Sequence, residues 1–141
     1  MRKILVICTG NSCRSQMAEA WIRKYTGNKA LVFSAGTNPE KVNSRAIQAM
    51  KLVGIDILHH NSNFIDEYVD MDLDFVITVC DNAHERCSCF KTKAKKIHKS
   101  FPDPAKAKGT ETDIFSEYCN VRDSLKNFAM DFVEKELGIT V

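Results

Sequence analysis

Apolar positions along the chain follow two alternating periods. Lys3-Ile4-Leu5-Val6-Ile7 is a short, β-branched apolar run that ends at Thr9-Gly10, the pattern of a buried strand. Ala18, Trp21, Ile22 and Tyr25 then recur at helical spacing, predicting a helix from about Arg14 to Thr26 with Gly27 as its stop. Ala30 to Ser34 reads as a second strand, closed by Ala35-Gly36 and a turn through Asn38-Pro39. Asn43 is placed to cap a helix with inner face Ala46, Ile47, Met50 and Val53, closed by Gly54. The mixed pattern from Ile55 to Asn63 suggests a short irregular strand, and Phe64 to Val69 one or two helical turns. Asp74 to Val79 is a third strand that delivers Cys80, and a polar stretch follows to Lys95. Lys96-Ile97-His98 is a fourth strand, Phe101-Pro102-Asp103-Pro104 a rigid loop, and Val121, Leu125, Phe128 and Phe132 the inner face of a long final helix. Strands alternating with helices imply right-handed βαβ units and a parallel sheet, with ligands beyond the carboxyl ends of the strands.

Composition narrows the class. The chain has 141 residues, 44% apolar and 27% charged, which fits one globular domain over residues 1–141. A formal net charge of +2 is too small to argue for nucleic acid or a membrane surface. No apolar run approaches the roughly 20 residues that span a bilayer. Met1-Arg2-Lys3 mimics the start of a signal peptide, but the apolar run stops within a few residues, so a cytoplasmic location is expected. In that compartment six cysteines point to metal binding or catalysis rather than to a disulfide framework. The lysines at 91, 93, 95, 96 and 99 read as a solvated face that can also steer an oxyanion or an acidic reductant. Cys13 and Cys119 read as small core residues, His59 and His60 as surface residues, and His98 as an exposed strand residue.

The candidate chemistry concentrates in Cys8-Thr9-Gly10-Asn11-Ser12-Cys13-Arg14-Ser15, between the first strand and the first helix. Gly10 and Asn11 tolerate left-handed backbone angles, so the loop can curl with its N–H groups inward as an anion nest at a helix N-terminus. Arg14 adds a planar fork of donors for a tetrahedral oxyanion. Cys8 faces those donors, whose field is expected to lower its pKa and make it a nucleophile toward phosphorus or a chemical relative. The plain alternative is a buried structural cysteine in an ordinary turn. Cys8 and Cys80 both end strands and Asp103 follows the fourth, so three chemically capable residues fall on one sheet edge. A second cluster, Cys80, His84, Cys87 and Cys89, is either a set of redox thiols or an irregular zinc site.

The loop resembles the phosphate loop of the low-molecular-weight protein tyrosine phosphatases and, in its wording, that of the arsenate reductases that share their fold. The likeness extends to Ser34-Ala35-Gly36-Thr37, Cys80 with Cys87, Asp103-Pro104 and Val121-Arg122-Asp123. It implies a three-layer α/β sandwich on a central four-stranded parallel sheet. It also implies a thiol relay: Cys8 attacks arsenate, Cys80 attacks the Cys8 adduct and releases arsenite, and Cys87 then attacks Cys80. Thioredoxin or glutaredoxin would reduce the final bridge, and the protein is expected to act as a monomer with no nucleic acid or membrane partner. Thr9 to Arg14 would hold the oxyanion, Ser15 would hydrogen-bond the thiolate, and Asp103 would be the general acid. Cys89 is an extra thiol that can replace Cys87. No organic cofactor is implied. The family can hold a potassium ion through residues matching Asn11, Glu19 and Ser34, although the further carboxylate expected there aligns with Asn63. A tyrosine phosphatase is the alternative enzyme, against which Asp103-Pro104 is followed by Ala105-Lys106 rather than an aromatic pair. A non-catalytic oxyanion-binding redox sensor is the alternative outside the enzymes.

Overall fold

The computed structural model describes residues 1–83 and 92–141. Its elements are β1 (Arg2–Cys8), α1 (Arg14–Thr26), β2 (Ala30–Gly36), α2 (Ser44–Lys51), β3 (Phe75–Thr78), β4 (Lys95–His98) and α3 (Glu111–Leu137). Short 3-10 turns cover Ile65–Tyr68 and Pro104–Lys106. The strands form one parallel sheet in the order β2-β1-β3-β4, so the expected α/β sandwich on a four-stranded parallel sheet is what the chain forms. Among the described residues, no helix is long and apolar enough to cross a membrane.

The sheet grades from buried to wet across its width. Ile4 to Ile7 of β1 are fully buried because β1 is covered on both faces, which is why it reads as an unbroken apolar run. At the β4 edge Lys95, Lys96 and His98 are exposed and only Ile97 turns partly inward; lysines on an edge strand discourage pairing with another chain. Phe75, at the amino end of β3, meets Phe132 at 5.2 Å, and beyond the carboxyl end of β4 Phe101 packs edge-on against Phe128 at 5.7 Å. These rings tie the loop after β4 to α3 and fix the backbone of Phe101. Trp21 of α1 is buried, with its Nε1 donating to the Arg122 carbonyl of α3 at 3.1 Å.

Most element positions agree with the hydrophobic pattern, and the differences have local causes. β2 runs two residues further than its apolar run, since Ala35 and Gly36 stay registered against Ile7 and Cys8. No strand forms between Ile55 and Asn63; Gly36 makes only an isolated bridge to Phe64. The α2 face buries Ala46, Ala49 and Met50, while Ile47 and Val53 are half-buried, as is Phe128 in α3. Asn43 caps α2 as expected, its side chain accepting from Arg45 and Ala46.

Candidate active site

The loop between β1 and α1 is shaped by what happens to its carbonyls. Thr37 N donates to Cys8 O, Asn38 N to Thr9 O at 2.8 Å, Glu40 N to Gly10 O at 2.8 Å, and Asn43 N to Ser12 O at 2.8 Å. The Asn11 carbonyl is taken by Gln16 Nε2 at 3.0 Å and Ser62 Oγ at 2.9 Å. All five carbonyls from 8 to 12 therefore point outward, toward residues 37–43 and their neighbours. Among the described residues no peptide bond is cis. In a planar trans unit the N–H opposes the C=O, so the N–H groups of residues 9 to 13 face the other way, into the loop. The anion nest expected from the sequence thus has a structural cause that lies outside the motif.

Asn11 is the keystone. It is fully buried and adopts φ 48°, in the left-handed region, whereas Gly10 does not use its freedom. Its Nδ2 donates to Ser15 Oγ at 2.8 Å and Ser34 Oγ at 2.9 Å, and its Oδ1 accepts from Asn63 N at 2.9 Å. Ser15, accepting from Asn11, keeps its own proton available to another acceptor. Gly36 is required for a different reason. A Cβ there would lie 2.6 Å from Thr9 O and 2.9 Å from Asn11 N, so only glycine lets β2 run against the loop.

Arg14 closes the far side. Its Nη1 donates to the Phe101 carbonyl at 3.0 Å, and its Nη2 lies 3.6 Å from Asp103 Oδ2. Asp103 accepts from Ala105 N at 3.0 Å through its other oxygen, so it caps the turn and faces Arg14 at once. The loop, Arg14 and Asp103 converge on one edge, as the strand ends require.

Cys8 and Cys80 are both buried beyond the ends of neighbouring strands, and Thr9 Oγ1 lies 3.3 Å from Cys80 Sγ. Hydrogen bonding between the two thiols is the leading influence on both pKa values, so their titrations are joint. The bond from Cys8, opposed by burial and helped by Thr9, lowers Cys80 to about 5. The same bond, then burial, raises Cys8 against the opposing field of Arg14. The pair gives up its first proton readily, and the field of Arg14 lowers the pKa of both sulfurs. Cys13 is pushed up to about 12, chiefly by burial, and stays a thiol.

Other expected residues are placed as follows. Cys87, Cys89 and His84, and with His84 most of the zinc alternative, lie outside the described residues, as does Lys91. Among the described residues no cluster of three or more metal-ligating side chains occurs. Cys119 is only half-buried, within 3.5 Å of Arg122 Nη1, and so is not a fully buried core residue. His59 is exposed, but His60 is half-buried with Nδ1 3.0 Å from Gln16 Oε1; it belongs to the support of the loop and not to the surface. The potassium set does not fit a cation. Glu19 accepts from Ser34 at 2.7 Å and its other oxygen pairs with Arg23 at 2.9 Å, so its charge is already matched. Asn11 turns its amide donors toward Ser34, and Asn63 adds an amide where a carboxylate would be needed. Gln16, Gly36, Ser62 and the 37–43 strap were not singled out from sequence for this role; Gly36 beside Asn38-Pro39 was the available signal.

The model of the low molecular weight phosphotyrosine protein phosphatase family matches residues 3–138. The chain is 42% identical over 131 residues to "Arsenate reductase" of Bacillus subtilis (strain 168), covering 93% of this chain and 94% of that protein. It is 44% identical over 131 residues to "Arsenate reductase 2" of Staphylococcus epidermidis, covering 93% and 95%. Among solved structures, "An arsenate reductase in oxidized state" superposes with a TM-score of 0.83 at 27% identity, covering 96% of this chain and 98% of that one.

Proposed function

The chain belongs to the low molecular weight phosphotyrosine protein phosphatase family, and we propose that it serves there as an arsenate reductase, using Cys8 and Cys80 as successive thiols. The observation that carries this reading is that two buried thiols, Cys8 and Cys80, stand beyond the ends of neighbouring strands beside the nest, with Thr9 Oγ1 3.3 Å from Cys80 Sγ. A phosphatase needs one nucleophile, a cradle and an acid. A second thiol against the first is what a two-electron reduction needs.

Arsenate is a tetrahedral oxyanion, and the inward N–H groups of residues 9 to 13 with Arg14 supply donors on several sides of it. Cys8 attacks arsenic as a thiolate; an As–O bond breaks, and Asp103 supplies the proton with which the oxygen leaves as water. Donors that are fixed before the reaction stabilise the charge that develops on the remaining oxygens. Cys80 thiolate then attacks the Cys8 sulfur. The S–S bond forms, the S–As bond breaks, and its electron pair stays on arsenic, which leaves as arsenite. The proton equilibrium between the two sulfurs suits both steps, because whichever sulfur must attack can be the one without the proton.

The resemblance extends this to Cys87 attacking Cys80 and freeing Cys8, with Cys89 as the alternative resolving thiol. A dithiol protein, thioredoxin or glutaredoxin, then reduces the last bridge. A reducing cytoplasm suits a chain of six cysteines in which Cys8, Cys13, Cys80 and Cys119 are free among the described residues, and the protein acts as a monomer with no resident cofactor. The test is arsenite production with each dithiol protein supplied in turn, beside hydrolysis of an aryl phosphate. Sustained arsenite formation with at most weak hydrolysis is expected. Brisk hydrolysis with no arsenite under any reductant would make the chain a phosphatase, and neither activity would make it an oxyanion-binding redox sensor.

A further inference from the structure

Cys80 is bracketed by a three-residue link that the thiol chemistry itself does not use. Thr78, the last residue of β3, is buried and stands in register with His98, the last residue of β4. Thr78 Oγ1 lies 2.7 Å from His98 Nδ1, and His98 Nε2 lies 3.0 Å from Asp81 Oδ1. With a neutral imidazole the directions follow from the partners: Asp81 only accepts, so Nε2 carries the hydrogen and Nδ1 accepts from the threonine hydroxyl. Sheet hydrogen bonding holds the chain as far as Val79, through Val79 N to Ile7 O and Phe101 N to Val79 O. Beyond that point the chain turns out of the sheet at Cys80 into a helical stretch that opens at residue 81. His98 joins the residue two before Cys80 to the residue one after it, across the turn that aims the sulfur.

We propose that His98, held by Thr78 and bonded to Asp81, is a positioning residue that aims Cys80 at Cys8. Among the described residues it reaches Cys80 through Thr78 and Asp81. It narrows the range of the Cys80 backbone so that the Cys8–Cys80 contact exists before arsenic is bound, and orientation of this kind is worth rate when two groups must meet in line. The contact also sits where it must yield. Asp81 is 77% exposed at its side chain, so its bond is the weak end of the link, and Thr78–His98 is the anchored end. This inference rests on the two-thiol reading above.

The test is a single turnover without any reductant, following arsenite release from the reduced full-length protein after one equivalent of arsenate. Asp81→Ala should slow release about fivefold, the scale of one net hydrogen bond, with melting temperature unchanged. Asp81→Asn keeps an acceptor for Nε2–H and should restore the wild-type rate. The ultraviolet thiolate signal should move to higher pH in Asp81→Ala, because a loosened Cys80 bonds Cys8 less often. Cys80→Ser separates the two claims. If it abolishes release and Asp81→Ala matches wild type, the positioning role is overturned and the relay stands. If Asp81→Asn is as slow as Asp81→Ala, the hydrogen bond is not the cause and the proposal falls. If Cys80→Ser still releases arsenite at the wild-type rate, the relay falls and the role of His98 with it.

Discussion

The two halves of the site are built differently. The oxyanion loop has every carbonyl from residue 8 to residue 12 bonded outward and a fully buried asparagine at its centre making three side-chain bonds. The Cys80 end of β3 is held by its interaction with the Cys8 thiol, by Thr9, by the Ala83 backbone N–H, and by a link that finishes on an exposed aspartate. The loop must not move, because donors stabilise developing charge only where they are already in place. Cys80 must meet two partners in turn, and segments with few buried bonds open at lower cost. Rigidity and looseness are therefore divided between β1 and β3, neighbours in one sheet.

The largest expected effect is a break in the rigid half. Gly36→Ala puts a Cβ against backbone atoms of Thr9 and Asn11 at 2.6 and 2.9 Å, so the loop itself must shift. Arsenite formation should fall about a hundredfold, as displacement of a catalytic group by about 1 Å does elsewhere. Circular dichroism should show the fold retained. Arg14→Lys keeps the charge but loses the fork that reaches both Phe101 and Asp103. Its expected effect is on the order of tenfold, mostly in KM for arsenate, checked by initial-rate kinetics.

A third test sharpens the electrostatic side. Cys80, lowered to about 5 from its ordinary 9.0, releases its proton in the folded chain over a range where the unfolded chain keeps it. The unfolded state then binds more protons, so this group's stabilisation is present at pH 9 and is lost as pH falls through about 5. Above the unfolded value the raised Cys8 works the other way, because it holds a proton that the unfolded chain gives up. Denaturant unfolding of the reduced protein should show stability rising from pH 5 toward pH 8, and Cys80→Ser should flatten that rise. The smallest effect belongs to the wet edge. Lys95→Ala removes an exposed pair with Glu136 and should cost less than about 1 kcal/mol with activity unchanged, measured by thermal melting and arsenite assay.

The motif, its strand and its helix were legible because they are local. The apolar run of β1, the helical spacing of α1 and the chemistry of Cys8 and Arg14 all lie within 26 residues of the start. Asp103 was legible as well, since Pro104 and the strand before it fix where it falls. What shapes the loop was not legible, because it comes from residues 37–43, Ser62 and Asn63, which have no periodic pattern and act mainly through backbone atoms. His60 looked like a surface residue for the same reason: its neighbour Gln16 lies 44 positions away in sequence. The pairing of the two thiol titrations needed three dimensions, since Cys8 and Cys80 meet only when β1 and β3 lie side by side.

The central claim is that Cys8 and Cys80 together reduce arsenate, and bridge mapping tests it most directly. Reduced protein in which Cys87 and Cys89 are both replaced by serine is given one equivalent of arsenate, quenched with acid and digested for mass spectrometry. The account predicts one arsenite released per chain and a disulfide joining the peptides of Cys8 and Cys80. Free Cys80 with no arsenite, or arsenite released with Cys8 bridged elsewhere, would contradict it.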